Sequence, residues 1–238
     1  MSIHVSIGRG LDQSVTAETT ITRCSNRLTS QIAILAIALF LAGSAAANAD
    51  PTVSPSSEDS ANKEEFVKRL FVGPVAKPKS YVCFVRQYDP KHLARHPLQK
   101  VSAMKLLLTA ETAPESDGPD YSFRLGVRYR NKAGVFDSSG ACRLSGMTAE
   151  GDDEVRLSCN VDCDGGDINV GLAKDSKATL VRLERIRIWR NNKPDDDASD
   201  ELVAGADDKI FRLDRADLEE CRSLVTDRKE LAEMRRKR

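Results

Sequence analysis

The residues best suited to chemistry lie in the segment DPKHLARHP. His92 and His96 are four residues apart, so a helical turn would place both imidazoles on one face, at a spacing that suits two zinc ligands. Asp89 completes this candidate cluster. No further ligand is evident and Pro97 restricts the helix, so a solvated turn is the favoured interpretation. The sequence therefore predicts no catalytic residue, no cofactor and no metal, with a metal site at these three residues as the alternative.

A second candidate is the acidic turn DCDGGD, residues 162–167. Its three aspartates superficially resemble a calcium-binding loop, in which several oxygens converge on the ion. However, Gly165-Gly166 tolerates the positive φ of a two-residue hairpin turn, and such a tight turn directs its side chains apart. A plain hairpin is therefore favoured over a calcium site.

Sequence patterns of the common enzyme classes are absent from this chain. No G-x-S-x-G, H-E-x-x-H, phosphate-loop or dinucleotide-binding glycine pattern occurs. After removal of the leader described below, only His92 and His96 could serve a nucleophile–histidine mechanism. The chain is therefore predicted not to be an enzyme, and metal-assisted hydrolysis through these two histidines is the alternative.

The charge of the chain points to no particular partner. The formal net charge is +0, which argues against nucleic-acid binding. Two predicted strands nevertheless carry outward arginines. Such a row usually forms a solvated strand face, and the alternative is a surface that binds an anionic glycan or a lipid head group. These residues are Arg124, Arg128, Arg130, Arg182, Arg185, Arg187 and Arg190.

The first part of the chain has the pattern of an export signal. Residues 32–43 form an apolar run that is too short to span a bilayer but typical of a signal-peptide core. Arg23 and Arg27 precede it, and the small-residue cleavage pattern Ala-Asn-Ala follows at 47–49. Residues 1–49 are therefore predicted to be a signal peptide with a long leading region, or with a misassigned start. The mature protein is expected to be periplasmic or extracellular, without a transmembrane segment.

The rest of the chain is predicted to form one domain. Residues 50–61 are rich in Pro, Ser and acidic residues and are predicted to be a disordered leader. A single β-rich domain is expected over 62–238, with a helix that begins at the capping residue Asn62. A mobile acidic loop is expected over 191–208, and the chain ends in a basic tail.

Strict alternation of apolar and polar residues over 155–163 predicts a strand with one buried face. The preceding turn is centred on Glu150-Gly151, and this register places Cys142 directly opposite Cys159. Opposed residues in a non-hydrogen-bonded pair have Cα atoms roughly 4.5 Å apart, which is within disulfide reach. The sequence therefore predicts a Cys142–Cys159 disulfide.

Two further turns set the neighbouring registers. With Gly165-Gly166 as the loop, Cys159 would face Leu172. A turn centred on Asp175-Ser176 would place Val170 opposite Val181. The apolar alternation then shifts by one residue near 184–185, which indicates a β-bulge.

The predicted mature chain has an odd number of cysteines, so one is expected to stay unpaired or to form an intermolecular bridge. Cys159 and Cys163 are too far apart along one strand to bond. The second disulfide is expected to join Cys221 to either Cys83 or Cys163, and Cys83–Cys221 is favoured.

These patterns together predict an all-β, mainly antiparallel fold. About eight strands would form an up-and-down barrel or a two-sheet sandwich, with short N- and C-terminal helices, the last of them capped by Asp214. The expected function is that of an exported, disulfide-stabilised, non-enzymatic domain that binds a small ligand or an envelope partner, such as an envelope protein or a glycan. A purely structural envelope protein is a further alternative.

Overall fold

The computed structural model describes residues 57–75, 78–113, 118–146, 154–162, 164–190 and 199–236. Nine antiparallel strands form one sheet that closes in a ring, with short helices towards both ends of the chain, so the predicted fold class is confirmed. The elements are α1 Ser57–Phe71, β1 Lys79–Gln87, α2 Pro90–Arg95, β2 Val101–Glu111, β3 Asp120–Tyr129, β4 Phe136–Ser145, β5 Arg156–Asn160, β6 Gly166–Leu172, β7 Ala178–Arg190, β8 Asp200–Val203, β9 Ile210–Ala216, a 3₁₀ helix Leu218–Leu224 and α3 Arg228–Arg236.

The ring follows the chain from strand to strand. Strands β1 to β7 are neighbours in sequence order, and β9 lies between β7 and β1, which closes the barrel. Strands β9 and β8 pair one after the other with the same edge of β7. Strand β9 pairs with residues 178–182 of β7, and β8 pairs with residues 185–188. Within the described strands, the short β5–β6 hairpin does not reach the far end of the barrel, where β4 pairs directly with β7.

The barrel interior is filled by side chains. Phe84, Phe123 and Phe211 point into the main core and are at most 1% exposed. Phe66 and Leu70 of α1 join the same core. Because large rings and branched chains occupy this space, the interior acts as a packed core for the elements around it.

Two of the three predicted strand registers are confirmed. Cys142 lies opposite Cys159, and the Cys142–Cys159 disulfide is present. Val170 lies opposite Val181, and the register then shifts by one residue, which places the predicted bulge at 184–185 of β7. Turn residues and apolar alternation were sufficient to define these two pairings.

The predicted β5–β6 register was wrong. Cys159 faces Ile168 instead of Leu172, and five residues, 161–165, connect β5 to β6 instead of a two-residue turn. The error is four residues, an even number, so the same side chains face inward in both registers and the alternation cannot distinguish them. Only Gly166 of the Gly-Gly pair has a positive φ, of 81°, and it lies against the backbone of Arg185 at the bulge of β7.

The first helix begins earlier than predicted. It starts at Ser57 instead of Asn62, so residues 57–61 of the expected disordered leader are helical, while residues 50–56 lie outside the described part of the chain. Acidic Glu58 and Asp59 in the first turn favour a helix N-terminus, and Asp59 forms an ion pair of 2.6 Å with Lys63.

The prediction that Asp214 caps a last helix was also wrong. This residue lies within β9, opposite Val85 of β1 and Ala178 of β7, and its carboxylate pairs with Arg86 at 3.0 Å. Strand pairing on both edges of β9 outweighs the local capping preference of Asp. The helical pattern begins after Asp217 and is divided into the 3₁₀ helix and α3.

The segment expected to be a mobile loop contains a strand that the sequence analysis missed. Residues 200–203 form β8, whose Leu202 is fully buried, and Glu201 pairs with Arg185 at 2.7 Å. Residues 191–198 of the predicted loop lie outside the described residues. Within the described chain, no helix is long and apolar enough to cross a membrane.

A glycine in β4 permits the strand to change its partner. Gly140 lies between the residues that pair with β7 and those that pair with β5, and a Cβ atom there would meet the backbone carbonyl of Asn160. We expect Gly140→Ala to lower the free energy of unfolding by about 2 kcal/mol, because two strands must move apart.

Gly171→Ala is the matched control in urea denaturation. Its nearest neighbour would be 4.0 Å away, so this substitution should leave the free energy of unfolding within about 0.5 kcal/mol of the wild-type value. Equal stability of the two variants would contradict a close strand approach at Gly140.

Candidate functional site

The structure brings the three predicted metal candidates together at α2. Asp89 is the N-cap, and its carboxylate accepts a hydrogen bond of 2.9 Å from the backbone N–H of His92, which lowers the pKa of Asp89. The rings of His92 and His96 stack with centroids 4.4 Å apart. His92 Nε2 also lies 2.9 Å from Oε1 of Gln99. These contacts stabilise the turn, and the imidazole rings of His92 and His96 face each other.

Neither candidate cation site forms a ligand cluster. Among the residues that the structure describes, no group of three His, Cys, Asp or Glu side chains is arranged to hold a metal ion. In the 162–167 loop, Asp164 adopts a positive φ of 59°, and Cys163 lies outside the described residues. Asp162 and Asp164 thus belong to the β5–β6 connection, whereas Asp167 lies in β6 opposite Asn160.

The α2 turn is fixed to the barrel by two charged side chains. The Arg130 guanidinium donates hydrogen bonds of 3.3 to 3.4 Å to four backbone carbonyls between residues 93 and 99. Asp208 is fully buried and accepts a hydrogen bond of 2.6 Å from the backbone N–H of Lys100. Burial raises the pKa of Asp208, although the hydrogen bonds from Lys100 and Val101 oppose this effect.

The raised pKa of Asp208 predicts a specific dependence of stability on pH. The folded state holds this proton at a higher pH than the unfolded state, so stability falls as pH rises through the folded-state pKa. Between about pH 3 and pH 7, the wild type should therefore lose unfolding free energy relative to Asp208→Asn as the pH rises. Urea denaturation of both proteins measures this difference. A difference that is constant over this range would contradict the assignment.

A groove lies on the outside of β1, β2 and β3. Small residues form its floor: Ala103 of β2 lies opposite Gln87 and Arg128, and Gly126 of β3 lies opposite Lys105. The methyl group of Ala103 leaves the outer face of the sheet depressed, and Leu224 packs against Gly126 at the side of this depression. The cavity has a volume of about 390 Å³.

Apolar and basic side chains surround this groove. Val85, Val135 and Leu224 provide apolar walls. Lys105 is tied to the C-terminal segment, because its Nζ donates to the backbone carbonyl of Glu220 and lies 3.6 Å from the carboxylate. The guanidinium of Arg128 is exposed and forms no hydrogen bond or ion pair with the described residues.

One wall of the groove belongs to the C-terminal segment, which the Cys83–Cys221 disulfide joins to β1. The favoured second bridge is thus present. Cys83 and Cys221 are both fully buried, in a second apolar core between the outer sheet face and the C-terminal helices. Arg124 of β3 donates two hydrogen bonds, of 3.0 and 2.9 Å, to the carboxylate of Glu230 in α3. This ion pair fixes the segment at a second point.

The outward arginines that the sequence grouped together have different roles. Arg124 and Arg130 hold chain segments in place, and Arg185 pairs with Glu201 across β7 and β8. Arg190 lies over the ring of Phe136, with its guanidinium carbon 5.0 Å from the ring centroid. Arg187 also has a contact within the protein. Arg128 and Arg182 are the two without a described partner.

The groove was missed by sequence reasoning for a physical reason. Alternation along β3 placed Arg124 and Arg128 outside, and it also placed Gly126 there, but a small outward residue has no significance until its neighbours are known. A Cβ atom on Gly126 would lie 2.7 Å from Cδ2 of Leu224, a residue almost 100 positions later in the chain. The signal was therefore present at Gly126 but depended on a distant segment.

The fold and the groove define a disulfide-linked, closed β-barrel with a ligand-sized depression on its outer surface. Comparisons of the chain with protein-family models, with curated proteins and with solved structures found no match.

The two disulfides should differ in their effects on the groove. Cys83–Cys221 spans a sequence separation of 138, so the Cys83→Ala/Cys221→Ala variant should lose about 5 kcal/mol of unfolding free energy on the chain-entropy model. The Cys142→Ala/Cys159→Ala variant, with a separation of 17, should lose about 3 kcal/mol.

Limited proteolysis separates a local effect from a global one. Removal of Cys83–Cys221 should expose residues 218–236 to cleavage before the barrel is cut, because this bond fixes the segment to β1. Removal of Cys142–Cys159 should not do so. The same early C-terminal cleavage in both variants would contradict this role of Cys83–Cys221.

Proposed function

We propose that this protein is an exported, non-catalytic binding domain whose outer groove holds a small ligand with an anionic group and an apolar part. The observation that carries this proposal is the position of Arg128. Its guanidinium has no described protein partner and lies beside a concave surface with the apolar walls Val85, Val135 and Leu224. A ligand carboxylate could bind Arg128 while its apolar part covers these walls.

The size of the groove supports a small ligand. Pockets for small molecules commonly measure about 300–1,000 Å³ and combine apolar walls with a few placed polar groups. A volume of about 390 Å³ lies within this range. The barrel interior, in contrast, is occupied by core side chains such as Phe84 and Phe123.

The charge of the groove supports an anionic ligand. Arg86, Lys105 and Arg128 line it, whereas Glu220 is its only acidic lining residue among those described. Arg86 is engaged with Asp214, and Lys105 is engaged with Glu220. Arg128 therefore offers the donor that a ligand can bind without displacing an existing partner.

The lining residues support binding without catalysis. Nucleophilic catalysis needs a nucleophile and a base within hydrogen-bond reach of each other. The described lining holds no histidine and no cysteine, and its carboxylate, Glu220, is paired with Lys105. The two histidines of α2 are not among the lining residues.

Export is supported by the cysteines and by the start of the chain. Structural disulfides form and persist in oxidising compartments, and the described part of the chain contains Cys83–Cys221 and Cys142–Cys159. The apolar run at 32–43 and the small-residue pattern at 47–49 provide the sequence features of an export signal.

Titration calorimetry with sodium octanoate tests the proposed ligand chemistry. Octanoate should bind, and Arg128→Gln should weaken its binding at least tenfold, because a hydrogen bond to a charged group contributes about 1.5–3 kcal/mol. Arg182→Gln removes another exposed arginine without a described partner and should leave the affinity unchanged.

A cationic probe of the same length completes this experiment. Octyltrimethylammonium should bind at least tenfold more weakly than octanoate to the wild-type protein, because the groove is basic. Equal binding of both probes, or equal effects of the two arginine variants, would refute the proposal of an anion-selective groove.

A further inference from the structure

A row of polar residues crosses the outer face of the barrel away from the groove. Arg143 of β4 lies opposite Ser158 of β5, Ser158 opposite Asn169 of β6, and Asn169 opposite Arg182 of β7. Directly opposed residues share one face of a sheet, so these four side chains form a continuous row across four strands. We refer to them as the arginine row.

The two arginines that end this row are available to a ligand. Arg143 and Arg182 are exposed, and neither forms a hydrogen bond or an ion pair with the residues that the structure describes. Other exposed arginines on the strands are engaged, as Arg185 is with Glu201 and Arg212 is with Asp214. Two free guanidinium groups therefore lie at the ends of one row.

Between the two arginines, the row presents small hydrogen-bonding side chains. Ser158 and Asn169 are both half-buried, with part of each side chain open to an overlying molecule. With about 4.8 Å between neighbouring strands, the two arginine positions are roughly 14 Å apart along the sheet. This arrangement fits a ligand that carries repeated anionic groups and has hydroxyl groups between them.

The surface around the row does not enclose a small molecule. One depression beside Asn169 and Arg182 has a volume of only about 20 Å³, and the other, of about 740 Å³, is wide and open to solvent. A small ligand needs a concave pocket to bury most of its surface, whereas an extended chain gains contacts by lying across a flat face. The shape of this surface therefore favours a polymer.

Charges on both sides restrict the path of such a polymer. Asp167, Glu184 and Lys209 line the depression on one side of Asn169 and Arg182, and Glu154 and Arg156 line the depression on the other side. Both flanks therefore carry negative charge beside positive charge, whereas the row itself carries only positive charge and attracts an anionic chain most strongly. Its path would therefore run across the strands, from β4 to β7.

We propose that the arginine row binds an acidic polysaccharide, with Arg143 and Arg182 contacting two of its anionic groups and Ser158 and Asn169 its hydroxyls. Among the described residues beside the row, Ile210 opposite Arg182 is the one exposed large apolar side chain, which disfavours insertion into a bilayer. The choice of a polysaccharide as the polymer rests on the proposed export of the protein. This site is separate from the groove, so the two proposals can fail independently.

Polygalacturonate, a uronic-acid polymer, is the probe for this site. The full-length protein should bind it, and Arg143→Gln/Arg182→Gln should weaken binding at least tenfold at low salt. Between about 50 and 200 mM salt, the slope of log K against log salt should become shallower by about 1.5 in this variant, because two fewer ionic contacts release counterions.

Matched variants and competitors complete the test. Arg128→Gln changes the groove and should leave polygalacturonate binding intact, while Arg143→Lys/Arg182→Lys keeps both charges and should restore part of it. Neutral dextran should not bind. The proposal is overturned if the glutamine variant binds like the wild type, or if phosphatidylglycerol vesicles or single-stranded DNA bind as tightly as polygalacturonate.

Discussion

Strand β9 forms backbone hydrogen bonds on both of its edges, to β1 and to β7, and the rest of the structure depends on this closure. A closed sheet leaves no free edge along the ring and confines its inward side chains to a space of fixed diameter. In this protein, large side chains such as Phe84 and Phe211 fill that space. Ligand recognition is therefore expected on the outer surface of the barrel.

The outer surface is itself divided by a second apolar core. Strand β1 is buried on both faces, because Val82 and Phe84 point into the barrel while Cys83 points outward beneath the C-terminal helices. The Cys83–Cys221 bond keeps those helices against the sheet. The groove lies where this cover ends, so the disulfide that stabilises the second core also positions one wall of the candidate site.

Local sequence features predicted those parts of the fold that depend on neighbouring strands. The turn expected at Glu150-Gly151 predicted the Cys142–Cys159 register, because a shift of one residue would have turned every apolar side chain outward. The same reasoning failed for β5 and β6, since a shift of four residues keeps Ile168 facing inward. It also failed at Asp214, where pairing with two distant strands outweighed a local capping preference. The groove could not be predicted, because its floor lies in β2 and β3 and its wall is contributed by residues 220–224.

The outward arginines show why a position on a strand face does not by itself define a binding site. A ligand anion that approached Arg124 would have to displace Glu230 from two hydrogen bonds, and the buried carboxylate would then lose its partner at a considerable cost. At Arg128 or Arg182 the anion would displace no side chain that the structure describes. The free energy of a new ion pair is therefore available for binding at these positions. In the groove it would add to that of the apolar contacts, and along the arginine row to that of the hydrogen bonds. The competition between internal and external partners, more than the number of charges, determines which basic side chains of this barrel can recognise a ligand.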